Sequence, residues 1–443
     1  MKKILVIGAG LSSSYLIKYL IEQAAENQWT VTIADNNIEL AKAKAQDSPF
    51  ALAMQLNAND QFELEQTVAA HDLVISLLPP TMHVGIAKIC IKYKKHLITA
   101  SYVSSDMHHL HVEALKANVL LLNECGLDPG IDHLSAMKII DSIKAKGGVI
   151  DVFKSYCGGL IAPEFDTNPW NYKFTWNPRN VVLAGQATAK YLENGELKFI
   201  PASRIFTQTE TLEINGYGAY ESYANRDSLG YIKPYGIEQA HTVLRGTLRK
   251  KGFSEAWNLL VKLGLTDDTQ LIEDADKITY RQLVSAFTPG TSLNNLEQRV
   301  CAFLNIPPNG ELFNKLKWLG IFEDTPINLR EATPAAILQM LLQQKWKLQK
   351  GELDMIVMQH VFEATVNNQK QHITCSLVVK GENETLTAMA KTVGLPMGIA
   401  AKLILTNQIK LRGVQIPLSP ELYNPILNEL AHFGIVFTEE GLD

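Results

Sequence analysis

Lys3-Ile4-Leu5-Val6-Ile7-Gly8-Ala9-Gly10-Leu11-Ser12-Ser13, near the start of the chain, decides how the rest is read. Ile4 to Ile7 form an uninterrupted aliphatic run, the pattern of a parallel strand covered by helices on both faces. Gly8 and Gly10 break it at once, and Tyr15, Leu16, Tyr19 and Leu20 then repeat at helical spacing as far as Glu22. A second strand is expected over 30–34, ending at Asp35. A strand, a glycine turn, a helix and a strand with an acidic end make up the dinucleotide-binding arrangement of a Rossmann fold. Gly8 permits the tight turn. Gly10 has no side chain, so the amides of Leu11 and Ser12 can approach a pyrophosphate at the positive end of the helix dipole. The third glycine of the fingerprint is replaced by Ser13, which is small enough for close helix–strand packing.

Asp35 stands 25 residues after Gly10 and is placed to accept hydrogen bonds from the adenosine ribose. Its carboxylate would repel a 2′-phosphate, so NAD is expected over NADP. Asn36 and Asn37 supply no cation for that phosphate, while Lys42 and Lys44 keep NADP open. Further strands are expected over 72–78, 96–100 and 119–123, with helices near 61–70, 81–93 and 104–117. This alternation predicts a doubly wound parallel α/β sheet over residues 1–126. Ligands bind beyond the carboxyl ends of such strands. The segments to search are therefore Leu78-Pro79-Pro80, Ala100-Ser101-Tyr102 and the loop from Glu124 to Asp132.

The remainder has a different texture. From Ile150 the chain is extended and rich in Gly, Pro, Tyr and Trp, which predicts an α+β domain over 127–254 and 350–384. Helical spacing dominates 255–349 and marks a helical insertion that could form a homodimer contact or cover the cleft. Extended stretches at 354–365 and 372–379 are followed by helical spacing over 386–405, so that 385–443 can pack back on the first domain. At 443 residues the chain needs two or three domains at about 100–200 residues each.

Composition excludes several other classes. Net charge is −5, from 41 basic and 46 acidic residues, with no basic run to neutralise a row of phosphates, so nucleic acid is a poor partner. No stretch is expected to supply the roughly 20 apolar residues of a membrane span, and the glycines at 8 and 10 interrupt an opening that otherwise mimics a signal peptide. Cys90, Cys125, Cys157, Cys301 and Cys375 are scattered and lack metal-ligand spacing. A cytoplasmic protein without structural zinc is expected. His108, His109 and His111 lie on a polar helix with no carboxylate or thiol to complete a metal shell, and are read as solvated or capped.

Several segments in these positions resemble the saccharopine dehydrogenases of the L-glutamate-forming type, also called saccharopine reductases. They are Ile75-Ser76-Leu77-Leu78-Pro79, Thr99-Ala100-Ser101-Tyr102, Glu124 through His133, Tyr156-Cys157-Gly158-Gly159, Asn225-Arg226-Asp227-Ser228 and Arg245-Gly246-Thr247-Leu248-Arg249. Met355-Ile356-Val357-Met358 and Met389 through Gly394 belong with them. The resemblance runs the length of the chain. It implies NAD(P)-dependent oxidation of saccharopine to L-glutamate and 2-aminoadipate 6-semialdehyde, or the reverse condensation, within lysine metabolism. A hydride leaves the carbon beside the secondary amine and the imine is hydrolysed.

The resemblance also implies roles. Arg226 and Arg249 match carboxylate clamps, with Thr247 and the Leu248 backbone beside them and Arg245 as a helper; a planar guanidinium suits a carboxylate because it donates two parallel charge-assisted bonds. Ser101 and Tyr102 match substrate contacts, and Leu78, Ala100 and Leu127 match backbone positions around the nicotinamide. Asp128 matches an aspartate shared by cofactor and substrate that could act in proton transfer, although an Asp before Pro-Gly also suits a helix cap. Cys157 matches a thiol at the cleft that could relay a proton, where plain packing is the simpler reading. His133 adjoins this loop. A related reductase of the carboxynorspermidine type and a non-catalytic dinucleotide-binding relative are the alternatives.

Overall fold

In a computed structural model, which describes residues 1–442, the opening aliphatic run forms β1 (Lys2–Ile7), with Ile4 to Ile7 each at most 1% exposed. Burying such side chains stabilises the fold by about 1.5–3 kcal/mol apiece, and β1 accordingly sits inside its sheet. β2 (Trp29–Asp35), β3 (Ala51–Gln55), β4 (Leu73–Ser76), β5 (His96–Thr99) and β6 (Leu120–Leu122) follow in the chain. Their order in space is β6-β5-β4-β1-β2-β3, all parallel, and the distant strand Gly413–Gln415 adds itself beside β6. Strand order reverses between β1 and β4, which opens the ligand crevice of a doubly wound sheet at their carboxyl ends.

β3 was not expected. It is an edge strand with Leu52 61% exposed, so no continuous apolar run announces it. The helix expected over 104–117 is two shorter ones, Ser105–His109 and His111–Lys116.

The second sheet is built from β7 (Val149–Ile161), β8 (Ala189–Glu193), β9 (Glu196–Ile200), β10 (Thr209–Ile214), β11 (Gly218–Ala224), β12 (Thr242–Lys250), β13 (Asp354–Val366) and β14 (Gln369–Lys380). Its main path is β10-β11-β12-β7-β13-β14, ending on the strand Thr438–Glu440, with β8 paired to β12 and β9. β7 and β12 run parallel and the other pairs antiparallel. Successive β13 residues enter different cores: Ile356 and Met358 pack toward the first sheet, Met355 and Val357 toward the helices of the insertion. This is the period-2 alternation of a strand buried on both faces.

The helix Ala388–Leu405 joins the two halves. Its first amides, Ala388 N–H and Met389 N–H, donate to the Asp354 carboxylate at 2.6 and 2.9 Å, and it then packs on the helix Ser14–Glu22 behind the glycine turn. A methyl at Gly394 would stand 2.7 Å from the Leu16 nitrogen and one at Gly398 2.7 Å from the Tyr19 ring, so glycine at this i, i+4 spacing is what lets the helices approach. Contrary to the sequence expectation, this helix is long and apolar enough to cross a membrane, but 83% of it is buried inside the protein. It is a core helix here.

Candidate active site

The glycine turn lies at the mouth of the crevice. Gly8 has φ +105° and a Cβ there would come within 3.2 Å of Leu77 Cβ, at the end of β4. Nothing lies within 4 Å of a Cβ built on Gly10, and Leu11 beyond it is 59% exposed. Asp35 accepts from Ala9 N–H and Asn37 N–H, each at 2.8 Å, which ties the turn to the end of β2. Lys42 pairs with Glu39 at 2.9 Å and the Lys44 ammonium bonds the Ser14 hydroxyl, so both lysines already have partners.

Across the crevice, the tip of β5 carries Ala100, Ser101 and Tyr102. A Cβ on Gly126 would meet Ala100 Cβ at 2.8 Å, so the loop bearing Leu127 and Asp128 lies directly against that tip. Ser101 Oγ is 2.9 Å from His83 Nε2, which also lies 3.1 Å from Thr99 Oγ1. Burial lowers the His83 pKa to about 4 and keeps the ring neutral.

The loop then turns through a cis Asp128–Pro129 bond into the helix Ile131–Ala145. The capping reading of Asp128 fails: the N-cap is Gly130, whose N–H donates to Asp132 Oδ1 at 2.5 Å. Asp128 instead accepts from Arg245 of β12, and the same Nη2 donates to Asp132 Oδ2 at 2.7 Å. Asp128 keeps 17% of its side chain exposed where Asp132 keeps 2%, so only Asp128 can meet a ligand directly. Burial pushes the Asp128 pKa up against the pull of Arg245, to about 6. Burial pushes Asp132 up as well, yet His133, Arg245 and the Gly130 amide together hold it below the usual range.

Sequence reasoning missed most of what backs this loop. Glu124 accepts from Tyr231 Oη at 2.9 Å and from Val103 N–H at 3.0 Å, and lies 2.8 Å from His133 Nε2. His133 Nδ1 in turn meets Tyr235 Oη at 2.5 Å. Only the second acid of Asp128-Pro129-Gly130-Ile131-Asp132-His133 hinted at a charge cluster; its partners lie about a hundred residues away and nothing local points to them.

The substrate-domain residues converge on the same crevice. Arg226 Cζ stands 5.4 Å from the centre of the Tyr102 ring and Arg245 Cζ 5.6 Å, so the tyrosine at the tip of β5 bears one cation from the end of β11 and one from within β12. Cys157 pairs with Thr247 in the parallel β7–β12 register, and Arg245 and Arg249 flank Thr247 at two-residue spacing on one face. Burial, followed by the negative charges of Asp128 and Asp132, pushes the Cys157 thiol well above its ordinary range, so it stays protonated at neutral pH.

Arg249 is 3% exposed. Its Nη1 donates to Leu248 O at 2.8 Å, its guanidinium rests 4.9 Å from the Tyr172 ring centre and 5.3 Å from that of Phe253, and its Nε has no partner. Among the described residues no carboxylate lies in salt-bridge range of it. Burying a cation without a counter-ion is costly, and the arrangement calls for an anionic ligand.

The three clustered histidines lie on the two short helices that replace the expected one. His108 and His111 stack at 6.4 Å, His111 Nδ1 lies 3.2 Å from Val414 N and O, and no metal-binding cluster occurs among the described residues. All five cysteines are free and buried.

Two family models cover nearly the whole chain, the saccharopine dehydrogenase NADP binding domain over residues 4–122 and the saccharopine dehydrogenase C-terminal domain over residues 126–435. The chain belongs to the saccharopine dehydrogenase family. It is 36% identical over 452 residues to saccharopine dehydrogenase [NADP(+), L-glutamate-forming] of Schizosaccharomyces pombe, covering 100% of each chain. With the mitochondrial alpha-aminoadipic semialdehyde synthase of Mus musculus it shares 35% identity over 453 residues, matching 48% of that longer protein. The apo saccharopine dehydrogenase (L-Glu forming) of Saccharomyces cerevisiae superimposes with a TM-score of 0.88 at 34% identity over 99% of both chains. The turn at Gly8 and Gly10 fits the dinucleotide of this family: open space above Gly10 lies where a pyrophosphate would meet the amides of Leu11 and Ser12.

Proposed function

We propose that this protein is a nicotinamide-dependent oxidoreductase that interconverts saccharopine with L-glutamate and 2-aminoadipate 6-semialdehyde. Arg249 carries the reading: a buried guanidinium without an acid partner, acting with Asp128 on the same Cys157 thiol, suits a substrate with several carboxylates. Arg226, at the exposed rim, takes a second carboxylate, with Thr247 and the Leu248 backbone beside the first. Ser101 and Tyr102 line the opposite wall. A carboxynorspermidine-type reaction is less favoured because it would leave this concentration of arginines underused, and a non-catalytic role gives no reason for a reachable, raised-pKa aspartate.

Gly8, Gly10, Leu11, Ser12 and Asp35 hold the dinucleotide, and Leu78, Ala100, Leu127 and Asp128 border its nicotinamide. When bound, the dinucleotide supplies the hydride acceptor. Asp128, ionised, takes the proton from the substrate's secondary ammonium so that the nitrogen lone pair can form the C=N bond as the adjacent C–H pair departs. Water then adds to that carbon, and the C–N bond breaks with the nitrogen leaving on glutamate. Asp128, by then protonated, returns its proton to that nitrogen, and Cys157, a thiol that stays neutral beside Thr247, takes part only as a relay that gains a proton as it gives one.

Asp35 favours NAD, since its carboxylate would face a 2′-phosphate and Lys42 and Lys44 already have partners. The relatives named above carry NADP(+) in their names, so the cofactor is decided by assay: kcat/KM for NAD should exceed that for NADP, and the reverse order removes this assignment. Release of reduced nicotinamide on mixing with saccharopine tests the function itself.

A further inference from the structure

We propose that Arg245 is a positioning residue and not a substrate clamp: its guanidinium, held between Asp128 and Asp132, aims Asp128 at the cleft and keeps it ready to accept a proton. The inference rests on the reading of Asp128 as the proton acceptor.

Its basis is geometric. One nitrogen, Nη2, serves both carboxylates, while Cζ lies 4.6 Å from the Tyr231 ring centre and 5.6 Å from that of Tyr102, and Arg245 is 5% exposed. A clamp for an incoming carboxylate needs an uncommitted positive charge; this one already faces two carboxylates through Nη2. Asp132 cannot replace Asp128 in contact with substrate, because it is buried and committed to the Gly130 amide. Its contribution is to share the cation. Two aspartates face one positive charge, and the like charge of Asp132, which also has His133 beside it, weakens the hold of Arg245 on the Asp128 anion. Asp128 is left with a partner strong enough to orient it and too weak to fix it permanently as the anion.

The other charged and titratable groups around Asp128 do not replace this arrangement. His133 faces it from the loop's own helix but pairs with Glu124. Tyr102 from β5, Cys157 from β7 and Tyr231 and Tyr235 from the segment before β12 are all pushed upward, by burial first, and stay uncharged at neutral pH. Arg226 lies against the Tyr102 ring, and Arg249 stands four residues along β12 against Tyr172.

The test is a pH titration of the Asp128 carboxyl in ligand-free protein by infrared difference spectroscopy, with Asp128→Asn identifying the band. It is run beside the pH profile of saccharopine oxidation. Asp132→Asn removes a like charge and should move the titration midpoint down by about one pH unit, and the acid limb of kcat/KM with it. Arg245→Gln should move both up by about 1–3 pH units, and Arg245→Lys should restore most of the difference. A midpoint is independent of how much protein folds, and if Arg245→Gln does not fold, Asp132→Asn decides. An Asp128 midpoint unchanged by Asp132→Asn overturns the inference. Midpoints that shift as expected in a protein inert toward saccharopine would support the charge sharing and remove the proposed reaction instead.

Discussion

The two walls of the crevice are made by different means. On one side, the turn at Gly8 and Gly10 is built from backbone: a positive φ, a missing Cβ and free amides at a helix start, all within eleven consecutive residues. On the other, Asp128, Asp132, Arg245, Arg249 and Cys157 form a side-chain assembly drawn from a loop, the helix that follows it and two strands of a second sheet. Backbone recognition can be written locally, because amides are present everywhere and only the turn must be specified. Charge recognition cannot, because opposite charges must come from elements that meet only in the finished fold.

The contrast is open to attack from both sides. Asp128→Asn should cost most, lowering kcat by about 10²–10⁴-fold while leaving dinucleotide affinity within a few-fold; parent-like turnover would end its role in proton transfer. Arg249→Ala should come next, raising KM for saccharopine by about 10–100-fold, in keeping with about 1.5–3 kcal/mol for a charged hydrogen-bonded pair. Arg226→Ala, exposed at the rim, should give a smaller rise, and an Arg226 effect larger than that of Arg249 would reverse the assignment of the principal clamp. Gly8→Ala should weaken dinucleotide binding by about tenfold, since a side chain in the left-handed region costs about 1–2 kcal/mol; isothermal titration should find the loss, with KM for saccharopine little changed. Asp35→Ala should have the smallest effect, a few-fold shift in relative kcat/KM from NAD toward NADP, and no shift would show that Asp35 serves only to tie down the turn through Ala9.

What was legible in the sequence follows the same division. β1, the turn, the helix behind it and the strand ending at Asp35 were all readable, because aliphatic runs and glycine placement are local signals. β3 was not, since an edge strand exposes half its side chains. The split of 104–117 into two helices also left no trace in the spacing. Asp128, Arg226 and Arg249 entered through resemblance to a family and would otherwise have been unremarkable polar residues. The Tyr231–Glu124–His133 chain and the sharing of Arg245 were not visible at all, for they depend on the segment before β12 folding onto the loop after β6. Arg245, read from the family as a possible helper, has two acid partners inside the protein that no local pattern announced.

The most direct measurement is the steady-state rate at which the purified protein reduces NAD and NADP in the presence of saccharopine, with the products identified by mass spectrometry. L-glutamate and 2-aminoadipate 6-semialdehyde, formed one for one with reduced nicotinamide and faster with NAD, are expected. No saccharopine-dependent reduction of either dinucleotide, in folded protein that binds them, would contradict the account.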